Sequence, residues 1–205
     1  MSGSTIEKAM PRVALTRLAR KALVPLNLSA DAVGAVREHV NTVLSDVVQK
    51  VIVVAQHSAH KNVSGNDVLY VVPNSKELQA QEGIKVPMCP RKTFKPAACD
   101  KVKNPNCTAL ARQKKVEEEV KFYSCQGICH ILPKRAFSGL VKTAVERHAS
   151  GKKLSSDAVS LLQSFAENAI QKTLNAAGQI AAVNKKSTIK GEHIDAAVKV
   201  MKLGC

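Results

Sequence analysis

Apolar residues fall at helical spacing along two long stretches of this chain. Behind Ser29 they recur as Val33, Val36, Val40, Val43, Val47, Val51 and Val54, a stripe sustained to about His60. Behind Ser155 the stripe runs Val159, Leu162, Phe165 with Ala166, Ala169, Thr173, Ala176 with Ala177, and Ile180. Each stripe predicts a helix of about 30 residues and on the order of 45 Å, against a usual length of about 10–14 residues. Ser29 and Ser155 are good N-caps, because a short side-chain oxygen accepts an orphan backbone N–H. Asp31 and Asp157 then favour the positive end of each helix dipole.

Shorter amphipathic segments flank both. Arg12–Leu23 carries Val13, Leu15, Leu18, Ala19 and Ala22 and ends before Pro25; Pro133 opens its counterpart, with Phe137, Leu140, Val141, Ala144 and Val145 behind it. After each long helix come a short loop and a third helix, clearest where Ile194, Ala197, Val198 and Met201 keep i, i+3, i+4, i+7 spacing. The unit is short helix, loop, long helix, loop, short helix.

It is written twice. Leu28–Val33 reads LSADAV and Leu154–Val159 reads LSSDAV, an offset of 126 (154 − 28); HKNVSGNDVLYVV from His60 and KSTIKGEHIDAAVKVM from Lys186 keep the same offset at Val63 and Ile189, Gly65 and Gly191, Val68 and Ile194. Landmarks that hold register without a gap identify a tandem duplication. A long helix with two short neighbours cannot cover its own apolar stripe, so each copy needs a partner of the same shape. The duplication predicts an intramolecular pseudo-dimer, with the polar loops of one copy beside those of the other.

Composition narrows the function. The chain has 205 residues, 45% hydrophobic and only 3% aromatic, with no Trp. This suits helices packed through small and branched side chains and argues against an RNA-binding sheet or a single-strand groove, which need aromatic platforms for base stacking. Lys and Arg outnumber Asp and Glu by 31 to 16, and the formal charge of +15 points to a polyanionic partner, nucleic acid before an anionic membrane surface. No apolar run approaches the roughly 20 residues of a membrane span, and the start MSGSTIEKAMPR has no signal-peptide core. Without secretion the N-x-S/T matches at Asn27, Asn62 and Asn106 are chance, and the six Cys are thiols.

Both copies resemble core histones. In the first, TRLAR (Thr16–Arg20), His57, Lys61 close to Val63, and NVSGNDVLY (Asn62–Tyr70) are similar to histone H-four. In the second, ILPKRAFSGLV (Ile131–Val141), LSSDAVSLLQ (Leu154–Gln163) and KKSTI (Lys185–Ile189) are similar to histone H-three, and TALARQ (Thr108–Gln113) resembles the start of its extra N-terminal helix. The order is that of the histone doublets of giant viruses. The resemblance implies an all-α fold: two tandem histone folds forming a handshake pseudo-dimer. Residues 1–10 are then a short N-terminal tail whose one Lys is Lys8. Residues 11–73 are the H-four-like fold, 74–107 a linker, 108–130 the N-terminal helix region of the second copy, and 131–205 the H-three-like fold.

The resemblance also implies a site. In a handshake pair the second loop of one copy lies beside the first loop of the other, so Lys61 and Asn62 meet Lys152 and Lys153, while Lys185, Lys186 and Thr188 face 24–27. Loop amides and lysines grip phosphates without reading bases, and the starts of the short first helices add dipole-assisted contacts near Arg12, Arg17, Arg20, Lys21, Lys134 and Arg135. The bland alternative for each is an ordinary solvated cation. The first loop of copy one, VPLN, lacks the family's basic residues, and His130 replaces the Arg expected before the Leu-Pro. The family's His–Asp pairing between two H-three copies falls here on Val183 and His193, so Ile180, Val183 and His193 would join two chains by apolar packing. His57 and Tyr70 match residues facing an H-two-A/H-two-B-type pair or doublet; as ordinary residues they are polar groups at the core edge.

The segment between the copies holds Pro87, Pro90, Pro96 and Pro105 with scattered Lys, as an extended basic linker would. KKVEEEVK (Lys114–Lys121) reads as helical, with its three Glu suited to a protein-facing or solvent-facing side. Cys89, Cys99, Cys107, Cys125 and Cys129 have long spacings, and C-x3-C followed by His is no standard zinc pattern; zinc and redox bridges are the alternatives to free thiols. No cofactor or metal is expected, and the enzyme class is rejected: P-loop, GxGxxG, HExxH and GxSxG are absent and no nucleophile–base set is visible. The expected partners are double-stranded DNA, a second copy and the other histone pair, with no membrane, in a virion and in the host nucleus or a viral factory. A regulatory histone-fold pair that recruits chromatin or transcription proteins is the alternative function.

Overall fold

The computed structural model describes residues 3–72, 116–123 and 130–203. In copy one, α1 (Gly3–Ala9) and α2 (Arg12–Lys21) lead to strand β1 (Asn27–Leu28), the long α3 (Ala30–His57), β2 (Asn62–Val63) and α4 (Gly65–Val71). Residues 116–123 are helical. Copy two follows as α5 (Lys134–His148), β3 (Lys153–Leu154), α6 (Ser156–Val183), β4 (Thr188–Ile189) and α7 (Gly191–Leu203). Both long helices have 28 residues and begin at the predicted caps: Ser29 Oγ accepts from the Ala32 N–H and Ser155 Oγ from the Ala158 N–H.

The copies interlock rather than sit side by side. The short first helix of each copy packs on the long helix of the other, α2 on α6 and α5 on α3, and each third helix is wedged between both long helices. Burial therefore extends beyond one stripe. On α3, Leu44, Val48, Ile52 and Ala55 join the valines; on α6, Leu161, Ile170, Leu174 and Ala181 do the same. Among the described residues, Phe137 of α5 is the largest fully buried side chain. A core shared in this way explains why neither copy buries its own apolar surface.

Part of the expected N-terminal tail is structured. Residues 3–9 form α1, which packs on α5, while Ala9 and Met10 are fully buried. Arg37 of α3 holds the turn after it, donating from Nε to the Met10 carbonyl at 3.0 Å and reaching Glu7 at 3.4 Å. The linker and Cys89, Cys99, Cys107, Cys125 and Cys129 lie outside the described residues, as does TALARQ. Among the described residues no helix is long and apolar enough to cross a membrane, and no three His, Cys, Asp or Glu gather as a metal set.

Candidate nucleic-acid interface

Two parallel ladders, each two residues long, tie loops of opposite copies together. β2 pairs with β3 in the register Asn62 to Lys153 and Val63 to Leu154; β1 pairs with β4 as Asn27 to Thr188 and Leu28 to Ile189. The ladders run on into the caps, where the Ser155 N–H donates to the Val63 carbonyl at 2.9 Å and the Ser29 N–H to that of Ile189 at 3.0 Å. Strand alternation sorts the side chains. Val63, Leu28 and Ile189 point into the core, whereas Asn62, Lys153 and Asn27 are exposed.

The glycines that follow the ladders allow this closeness. A Cβ on Gly65 would meet Leu161 Cδ1 at 3.3 Å and Asp157 Cβ at 3.4 Å; one on Gly191 would meet Asp31 Oδ2 at 3.3 Å. The Gly191 N–H donates to Asp31 Oδ2 at 2.9 Å, so a residue of copy one caps the third helix of copy two. The Ser29 hydroxyl and then this N–H hold the Asp31 carboxyl at about 2, below its usual value. In copy one the same role is internal: Ser64 and Asp67 form a reciprocal capping box, and His60 Nδ1 lies 2.9 Å from Asp67.

At one end of the pair Lys61, Asn62 and Lys153 are exposed together; at the other Lys185 and Lys186 are exposed beside a half-buried Thr188. Lys134 and Arg135 are exposed at the start of α5, and Arg17 is half-exposed on α2. Arg12 is exposed, yet its Nη2 donates to the Leu28 carbonyl at 2.8 Å. Lys21 is half-buried, and its charge is felt at His130 and Glu167.

Three expected positions turn inward. Arg20, expected at DNA, is only 2% exposed. Its Nη1 donates to the Val24 and Leu26 carbonyls, both at 2.8 Å, and its Nε meets Glu119 at 3.3 Å. The guanidinium organises the first loop of copy one, which supplies carbonyls but no cation, and the three-Glu helical segment faces protein through Glu119. Lys152 donates to the His60 carbonyl at 2.7 Å and to that of Ala55 at 3.4 Å, carbonyls at the end of α3. His193, expected at an interface between chains, is buried, because its Nδ1 accepts from the Lys190 N–H at 3.0 Å and caps α7.

The remaining interface positions are open. Val183 is 82% exposed next to a half-buried Ile180, and Val200 and Leu203 of α7 are exposed too. His57 is exposed, and the 75% exposed Tyr70 lines a groove with Asp46, Gln49, Lys50, Val53, Val54 and Val71.

One buried polar cluster carries no expectation from the sequence beyond the odd His130. Glu167 accepts from the Ile131 N–H at 2.9 Å and the Leu132 N–H at 2.8 Å, and Gln163 Nε2 donates to the Leu132 carbonyl at 2.8 Å. His130 Nε2 pairs with Ser160 Oγ at 3.1 Å. Burial, reinforced by Lys134 and Lys21, depresses His130 to about 4, and burial raises Glu167. The cluster anchors the entry to α5. The signal in the sequence was a Gln and a Glu four apart on the inner face of α6.

Residues 114–200, which include copy two from α5 to most of α7, match the family model of the core histone domain, the one shared by H-two-A, H-two-B, H-three and H-four. Over 92% of this chain and 92% of the other, the structure is similar to the histone from Methanopyrus kandleri, with 16% identity and a TM-score of 0.54. The fold is the histone fold. No curated protein matches the sequence.

Proposed function

We propose that the chain is a structural DNA-packaging protein, a histone doublet of the giant-virus type that wraps and compacts double-stranded viral DNA into nucleosome-like particles. The observation that carries this reading is the outward set Lys61, Asn62 and Lys153 at one end and Lys185 and Lys186 at the other, each fixed by a cross-copy ladder. Such loops neutralise phosphates and release counterions, giving binding that is largely blind to sequence. The formal charge of +15 supports the same partner. Two chains would join through Ile180 and Val183, with the exposed Val200 and Leu203 of α7 as further apolar surface. The groove at Tyr70, with nearby His57, would receive an H-two-A/H-two-B-type doublet. The particle would reside in the virion, and in the host nucleus or a viral factory during infection.

Nuclease digestion of DNA reconstituted with this chain, with and without such a doublet, tests the proposal. A discrete protected fragment supports packaging, and one that needs both proteins supports an octamer-like particle. No protection in either case overturns it.

A further inference from the structure

Lys152 stands where a phosphate ligand is expected, yet its ammonium is engaged within the chain. It lies in the first loop of copy two, one residue before the ladder residue Lys153, and reaches across to copy one. There it donates to the His60 carbonyl at 2.7 Å and approaches the Ala55 carbonyl at 3.4 Å. The Ala55 carbonyl already accepts the His60 N–H at 2.9 Å, so the ammonium closes over the capped end of α3. That end carries the partial negative charge of a 28-residue helix beside residues that would meet a polyanion. Two residues beyond His60 is Asn62, the partner of Lys153 in the ladder. The bridge therefore spans the same two loops as the ladder and fixes them from the helix side.

We propose that Lys152 is a positioning residue, a cross-copy latch that sets the spacing of Lys61, Asn62 and Lys153 and screens the end of α3, rather than a phosphate ligand. This rests on the DNA-packaging reading for its consequence, though not for its geometry. The other end of the pair lacks the device: the position equivalent to Lys152 is Leu26 (152 − 126), whose carbonyl is held by Arg20 of its own copy. The latch is thus peculiar to one end, and it depends on a single charge that is only partly buried.

The test uses the full chain with Lys152→Met, which keeps the stem and removes the ammonium, with Lys152→Arg as rescue and Lys153→Ala as comparator. Affinity for a duplex is measured across salt concentrations, and amide exchange is followed at 60–63 and 153–155. Lys152→Met is expected to speed exchange at both loops and weaken binding about two- to fivefold with an unchanged salt slope, and Lys152→Arg to restore both. Lys153→Ala is expected to lower the slope by about one and leave exchange as it was. A slope lowered by Lys152→Met as in Lys153→Ala makes Lys152 a phosphate ligand and overturns the proposal, as does unchanged affinity. If the unaltered chain does not bind DNA even at low salt, the packaging reading fails. Exchange then decides the latch: faster loops in Lys152→Met sustain it and unchanged rates overturn it.

Discussion

Asn62 pairs with Lys153 across a parallel ladder whose next rung, Val63 with Leu154, is anchored in the core. The rung on the surface is thereby fixed by the rung beneath it, and a polar amide and a cation from different copies share one outward face. The arrangement costs little extra order, because the chain segments are already held by the helices they join.

If these residues contact phosphate, each exposed lysine at the ladders acts as one neutralised charge. Single substitutions Lys61→Ala, Lys153→Ala, Lys185→Ala and Lys186→Ala are expected to lower the slope of log K against log salt by about one each, equally on unrelated duplex sequences. Fluorescence anisotropy over a salt series checks this. A loss confined to one DNA sequence would mean base readout instead.

Arg20 behaves oppositely. Its guanidinium satisfies two carbonyls and an acid while almost wholly excluded from solvent. Arg20→Met leaves the Val24 and Leu26 carbonyls and Glu119 without their donor, a cost of about 2–3 kcal/mol. Thermal melting should show the loss, together with an unchanged salt slope. A lowered slope with full stability would return Arg20 to the DNA surface.

Three helices end in the same way. Leu23, Ala59 and Lys185 have φ of 61°, 53° and 54°, and each is followed by a residue whose N–H closes back on the helix: Val24 to Ala19, His60 to Ala55, and Lys186 to Ala181. This is the six-to-one closure usually built on glycine. Leu23 is 65% exposed, so its side chain repays little of the left-handed strain. Leu23→Gly is expected to stabilise the chain by about 0.5–1 kcal/mol, after the greater freedom of glycine in the unfolded state is deducted. Denaturant unfolding measures it; destabilisation would mean that the Leu23 side chain contributes more than its left-handed backbone costs.

The same residues show what the sequence could and could not reveal. Ser29, Ser155 and the gap-free offset from Val63 to Ile189 made the repeat and its long helices legible, because capping and periodicity are local. The stripes showed the need for a partner and the family resemblance supplied the handshake, whereas Ile170, Leu174 and Val48 escaped the stripe because helices cover α3 and α6 on more than one side. Arg20 and Lys152 could not be told from surface cations by type, nor His193 from a residue at an interface between chains. Each is turned inward by carbonyls or an amide whose location depends on the folded chain.

Asp31 links the two copies in a pH-dependent way. Its carboxyl is held at about 2, against an ordinary value of 3.8, chiefly by the Ser29 hydroxyl and the Gly191 N–H. Because the folded value is depressed, the folded state binds fewer protons than the unfolded one in this window. The stabilisation is fully present above the unfolded value and is lost as pH falls from about 4 towards 2. Every other carboxylate also titrates there, so the contribution is read as a difference. Asp31→Asn keeps the shape and removes the charge, and should melt below the unaltered chain at pH 6–7. The gap between the two melting temperatures should narrow through pH 4 and close near pH 2, with the amide of Gly191 exchanging faster in the variant at neutral pH. A gap that persists unchanged at pH 2 would show that shape, rather than the charge facing Gly191, supports this joint between the copies.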